Sequence, residues 1–129
     1  MVQLDHINMT VRDLRESIQW YNKVFNFKPV ETGTSSTGAP YAIIKNGESM
    51  LCIYESPDLK VPSESDGVHR TYHFGLRITD ATQWESIMKK EQVNLHHTWE
   101  YPHSFSWYIF DPSGHEIEVV LWNNNQIQF

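Results

Sequence analysis

Two histidines and one glutamate stand out by type and spacing. His6 lies in Leu4-Asp-His-Ile-Asn-Met-Thr-Val11, His73 in Thr71-Tyr-His-Phe-Gly-Leu-Arg-Ile78, and Glu118 in Glu116-Ile-Glu-Val-Val-Leu-Trp122. Each segment alternates apolar residues with others: Ile7, Met9 and Val11; Phe74, Leu76 and Ile78; Ile117, Val119 and Leu121. Successive strand residues point to opposite faces. His6, Asn8 and Thr10 therefore share one face, as do His73, Gly75 and Arg77, and as do Glu116, Glu118, Val120 and Trp122. Two imidazoles and one carboxylate that converge form a facial triad, which leaves open positions on a divalent metal. Open positions polarise a substrate oxygen or hold a water. Such a donor set suits Fe, Mn, Ni, Co or Zn and does not choose among them. A single strand histidine is ordinarily only solvated or hydrogen-bonded. The matched placement of three such residues is what points to a metal.

Elements of ordinary kinds must position these residues. Asp13 followed by Glu16, and Asp80 followed by Gln83, are capping-box patterns that open helices. Leu14, Ile18, Tyr21 and Phe25 form one apolar helical stripe, and Trp84, Ile87, Met88 and Glu91 another. Gly33 to Pro40 reads as a polar loop or hairpin tip. Tyr41–Ile44 and Met50–Tyr54 read as strands joined by a turn at Asn46-Gly47, and Phe105–Phe110 and Glu116–Trp122 as strands joined by Asp111-Pro-Ser-Gly114. His6 and His73, Asp13 and Asp80, and Gly47 and Gly114 are each 67 residues apart, which suggests an internal duplication. The expected fold is α+β: two βαβββ modules, residues 1–55 and 71–129, joined by a linker over 56–70. They form a curved mixed sheet with helices on its outer face, within a single domain spanning 1–129.

The composition narrows the partners. The 129 residues carry a net charge of −6, which disfavours a nucleic-acid partner. One cysteine, Cys52, rules out an internal disulfide and fits a reducing compartment. The longest apolar runs are far short of a membrane span. Asp5 and His6 stand where a signal peptide would place basic and apolar residues, so a cytoplasmic location without membrane contact is expected. The 5 Trp, 6 Tyr and 6 Phe are more rings than one small core needs, so some are expected to line a small-molecule pocket.

The opening from Leu4 through Asp13-Leu-Arg-Glu-Ser-Ile-Gln-Trp-Tyr21 and Val24-Phe25 resembles the vicinal oxygen chelate superfamily, as do Tyr72-His-Phe-Gly-Leu76 and Phe110-Asp-Pro-Ser-Gly-His-Glu-Ile-Glu118. That superfamily includes glyoxalase I, fosfomycin and bleomycin resistance proteins and extradiol dioxygenases. The resemblance implies metal ligands at His6, His73 and Glu118. It also implies a homodimer in which each site takes ligands from both chains. Glyoxalase I carries a fourth, carboxylate ligand in the first half; the matching position here is Leu51 or, with a one-residue shift, Cys52. Cys52 reads as a small apolar filler, with no basic neighbour to favour its thiolate. Tyr108 matches a pocket tyrosine of the fosfomycin resistance proteins. Those proteins hold a phosphonate dianion with Lys and Arg, whereas no Lys or Arg follows Lys90 here. Arg77 faces the same side as His73 by parity and either binds one carboxylate or extends its head to the rim. Extradiol dioxygenases are mostly longer, and bleomycin resistance proteins lack the metal triad.

The expected substrate pocket comprises Asn8, Cys52, Arg77, Tyr108 and Trp122. By parity Trp107 and Tyr108 face opposite ways. His96, His97 and His103 read as solvated loop residues or a source of a general base, and His69 and His115 as surface. The expected function is a metal-dependent lyase, isomerase, thiol transferase or dioxygenase that chelates vicinal oxygens of a small substrate. The alternative is a non-catalytic protein of the same fold that binds or sequesters a small molecule.

Overall fold

The structure is a computed structural model that describes residues 1–60 and 72–129. Most of the expected linker, with His69, lies outside the described residues. The chain divides into two compact units, Met1–Lys60 and Val61–Phe129. The first contains β1 (Ile7–Val11), α1 (Leu14–Phe25), β2 (Lys28–Thr34), β3 (Pro40–Asn46) and β4 (Ser49–Glu55). The second contains β5 (Phe74–Ile78), α2 (Ala81–Lys90), β6 (Asn94–Glu100), β7 (Ser104–Phe110) and β8 (Glu116–Trp122). Each is a βαβββ module with its own four-stranded mixed sheet, ordered β1-β4-β3-β2 and β5-β8-β7-β6. The first and last strands of each module pair in parallel, because a helix carries the chain across between β1 and β2 and between β5 and β6. The hairpin-linked strands pair antiparallel.

Alternation selects the buried face. Val11, Ala42, Ile44 and Ile53 are fully buried in the first unit, and Ile109, Ile117 and Val119 in the second. Helix α1 packs against β2, β3 and β4. Its buried stripe is Ser17, Tyr21 and Val24, with Leu14, Ile18 and Phe25 at the half-buried edge. The buried stripe lies one step round the helix from the apolar residues alone, because hydrophobicity passes over a serine. In α2 the stripe is as read, with Trp84 buried and Ile87, Met88 and Glu91 half-buried.

Two strands escaped the pattern. Every residue of β2 and of β6 is exposed, so neither shows a buried alternation. Gly33 and Thr34 end β2 and Pro40 begins β3, which leaves only residues 35–39 as the connection. Both strands lie at the edge of their sheet and both shift register after their second residue, between Pro29 and Glu31 and between Leu95 and His97. The shared irregularity is strong evidence of duplication.

One expected landmark of the repeat does not hold. Ile7 pairs with Leu51, whereas Phe74 pairs with Ile117. The last strands are thus one residue short of the offset that relates β1 to β5. The deficit arises before the turn: Pro29 matches Leu95 at an offset of 66 and their partners Ile44 and Ile109 match at 65, and the longer second turn then restores one residue. Asn46 pairs directly with Ser49 around Gly47 and Glu48, but three residues separate Asp111 from its hydrogen-bonded partner His115. Gly47 (φ 57) opens its turn and Gly114 (φ 88) closes its own, so they are not equivalent positions.

Capping follows the sequence. Asp13 Oδ1 accepts from the Glu16 amide at 2.8 Å, and Asp80 Oδ1 from the Gln83 amide at 3.0 Å. Glu55, at the end of β4, adds an acceptor for the Leu14 amide at 2.9 Å. Asp111 is buried and accepts from the Ser113 and His115 amides at 2.9 and 2.8 Å. Replacing a cap costs about 1 kcal/mol, and stranding a buried amide about 1–3 kcal/mol. Urea denaturation should therefore show Asp111→Ala to be more destabilising than Asp80→Ala, and Asp111→Asn should recover much of the difference.

Candidate metal centre

His73 directly precedes β5, and Glu118 sits mid-way along β8, opposite Gly75. The parallel pairing brings their side chains together: Nε2 of His73 lies 3.0 Å from Oε2 of Glu118. The other carboxylate oxygen is already held. Ser106, fully buried on β7, donates its hydroxyl to Glu118 Oε1 at 2.7 Å. A hydrogen bond to an ionised acceptor is about twice as strong as a neutral one. This bond fixes the carboxylate plane and leaves Oε2 facing the imidazole.

Tyr108 is paired with Glu118 across β7 and β8 and is almost wholly buried. Its hydroxyl is hydrogen-bonded to that of Tyr101 at 2.8 Å. The His97 ring stacks on the phenol at 4.3 Å, tilted by 10°, and the His73 ring meets it edge-on at 5.5 Å. Burial pushes the Tyr108 phenol above its ordinary value, and the Tyr101 hydrogen bond and the Glu118 charge push the same way. The phenol therefore stays protonated at neutral pH as a hydrogen-bond donor. Glu116 sits between two imidazoles, with Oε1 3.8 Å from His73 Nδ1 and Oε2 3.2 Å from His96 Nδ1.

These residues suit a divalent metal. Ligands about 2.0–2.2 Å from one ion stand about 3 Å from each other, the separation found between His73 Nε2 and Glu118 Oε2. Imidazole and carboxylate are the right donor types, and ligands of this kind are normally braced by outer hydrogen bonds, as Ser106 braces Glu118. Among the described residues no three His, Cys, Asp or Glu side chains form a metal-binding cluster, so the second unit supplies a pair.

In the first unit His6 directly precedes β1 and is exposed, with Nδ1 2.7 Å from Asp5 Oδ2. Asn8 pairs with Cys52, as Gly75 pairs with Glu118. Register thus decides between the two positions left open for a fourth carboxylate. Cys52 is the counterpart of Glu118, and Leu51 belongs to the core. Burial pushes the Cys52 thiol up, and the Asp5 and Glu31 charges add to it, so it remains a thiol. Beyond it, Tyr41 stacks on Tyr54 at 5.4 Å and donates to Glu31 at 3.2 Å.

The remaining expected residues divide. Arg77 is exposed on β5, on the face of Glu118. Trp122 lies at the far end of β8, stacked on His103 at 5.0 Å and edge-on to Phe129 at 5.4 Å, away from the His73–Glu118 pair. Trp107 and Tyr108 face opposite ways, as parity requires. His96 and His97 are not in a loop: they belong to β6 and engage Glu116 and Tyr108. His115 is half-buried in its turn rather than at the surface. Sequence reasoning did not single out Ser106 or Tyr101, or give Glu116 a role. Ser106 and Glu116 share the face of Glu118 by alternation, and that was the available signal.

A family model, described as Glyoxalase/Bleomycin resistance protein/Dioxygenase superfamily, matches residues 3–119. A glyoxylase/bleomycin resistance protein/dioxygenase domain from Frankia sp. EAN1pec superposes with a TM-score of 0.81 at 19% identity, covering 98% of this chain and 96% of that one. The genomically encoded fosfomycin resistance protein FosX from Listeria monocytogenes gives 0.73 at 19% identity, covering 95% of each chain. Lactoylglutathione lyase from Agrobacterium tumefaciens gives 0.65 at 21% identity, covering 92% of each. At such identities these structures speak to the fold, whereas the family model spans nearly the whole chain. On that match the chain belongs to the Glyoxalase/Bleomycin resistance protein/Dioxygenase superfamily.

Proposed function

We propose that this chain is a metal-dependent enzyme in which His6, His73 and Glu118 hold one divalent cation that chelates vicinal oxygens of a small substrate. Residues 1–129 act as one functional domain. The observation that carries the reading is the His73 Nε2–Glu118 Oε2 separation of 3.0 Å, with the second Glu118 oxygen committed to Ser106. The Listeria FosX has been crystallised with Mn(II), which supports a divalent ion in this fold. A bound cation supplies Lewis-acid polarisation of a substrate oxygen.

The chain's own residues define the rest of the chemistry. Ser106 keeps Glu118 presenting a single oxygen. Tyr108, held protonated, donates a hydrogen bond to a substrate oxygen in which charge develops, and buried donors of this kind stabilise such charge. With no Lys or Arg from Glu91 to Phe129, a dianionic substrate has no charge-assisted clamp on that side. The reading is therefore a lyase, isomerase, thiol transferase or dioxygenase acting on a small, largely apolar or aromatic substrate. Following the habit of short relatives, two copies pair, and His6 of one chain joins His73 and Glu118 of the partner subunit.

Metal analysis of purified protein should find about one ion per chain, lost in His73→Ala and Glu118→Ala. Ser106→Ala should weaken metal affinity about 10–100-fold, the usual effect of removing a brace on a ligand. Metal-free protein with undiminished small-molecule binding would instead favour a sequestering role. For the shared site, mixing His6→Ala with Glu118→Ala chains should restore about one intact site per mixed dimer. No recovery after subunit exchange would mean that each chain builds its own site.

A further inference from the structure

The face that carries Glu118 carries a second row of side chains. Register sets Arg77, Val120, Ser106 and Trp99 side by side across β5, β8, β7 and β6. This row lies one same-face step from the row of Gly75, Glu118, Tyr108 and His97, or about 7 Å, and neighbouring strands are about 4.8 Å apart. The middle of the second row is low, because Val120 is half-buried and Ser106 is buried with its hydroxyl turned to Glu118. Both ends stand out. Arg77 is exposed and has no carboxylate partner among the described residues. Trp99 is 59% exposed, and the ring of Tyr101 is 6.5 Å away. An indole left in water beside a shallow floor is a surface suited to a flat partner.

We propose that Arg77 is a carboxylate subsite and that the ligand is a small aromatic monocarboxylate. Its paired oxygens sit at His73 and Glu118, its ring lies over Val120 toward Trp99, and its carboxylate pairs with the guanidinium. The oxygen end rests on the metal reading above; the Arg77 end stands independently of it. One guanidinium clamps one carboxylate in bidentate fashion. The carboxylates of Glu116 and Glu118 on the same face oppose a second negative charge on the ligand.

Two probes share a chelating group and a ring and differ only at the far end: benzohydroxamate and 4-carboxybenzohydroxamate. Calorimetry on zinc-loaded protein should show the carboxylated probe binding at least about tenfold tighter, as a charged hydrogen bond requires. Arg77→Gln should erase that preference, so that the two probes bind with equal affinity, and Arg77→Lys should restore part of it. Trp99→Ala should weaken both probes alike. Equal affinities in the unaltered protein, or a preference that survives Arg77→Gln, would overturn the carboxylate subsite. Unchanged affinities in Trp99→Ala would overturn the aromatic part of the assignment. If the carboxylated probe binds metal-free and zinc-loaded protein equally and depends on Arg77, the subsite stands and the metal reading falls. Binding of neither probe would end both.

Discussion

The hydrogen bond from Ser106 to Glu118 is the constraint on which the site depends. A carboxylate on a strand is free to turn about its side-chain torsions and normally turns toward water. Here a buried hydroxyl 2.7 Å away holds one oxygen and leaves the other aimed at His73. Unpaired, the Ser106 hydroxyl would be a buried polar group without a partner, which is costly. Both residues are therefore better satisfied in this one arrangement. The remaining contacts build outward from it. Tyr108 packs beside the pair, His97 and Tyr101 hold Tyr108, and Glu116 links His73 to His96.

That arrangement is a consequence of topology. A parallel β5–β8 pair sets Gly75 opposite Glu118, so His73, two residues earlier on the same side, is brought to the carboxylate. The same topology in the first unit sets Asn8 opposite Cys52. One scaffold thus carries a carboxylate in one half and a buried thiol in the other. Duplication preserved the backbone, while the residue types at the matched position diverged.

Much of this was legible in the sequence wherever side chains report burial. Alternation around His73 and Glu118 gave their shared face, and Asp13 and Asp80 marked the helix starts by the amides they accept. Edge strands β2 and β6 were not legible, because residues exposed on both faces carry no period of two. His96 and His97 consequently read as loop residues although they belong to β6. The Gly47–Gly114 spacing misleads because two residues lost before the turn are offset by the later place of Gly114 within a longer turn. Ser106 went unmarked because a serine on a strand is ordinary until its burial and its partner are known.

The most direct test of the account follows the ring nitrogens of His73 and His6 by long-range 1H–15N correlation while zinc is titrated into the protein. The account predicts that His73 Nε2 and one ring nitrogen of His6 shift together and saturate at about one ion per chain, and that Glu118→Ala abolishes the response at His73. Zinc that saturates the protein while leaving His73 Nε2 unshifted would contradict it.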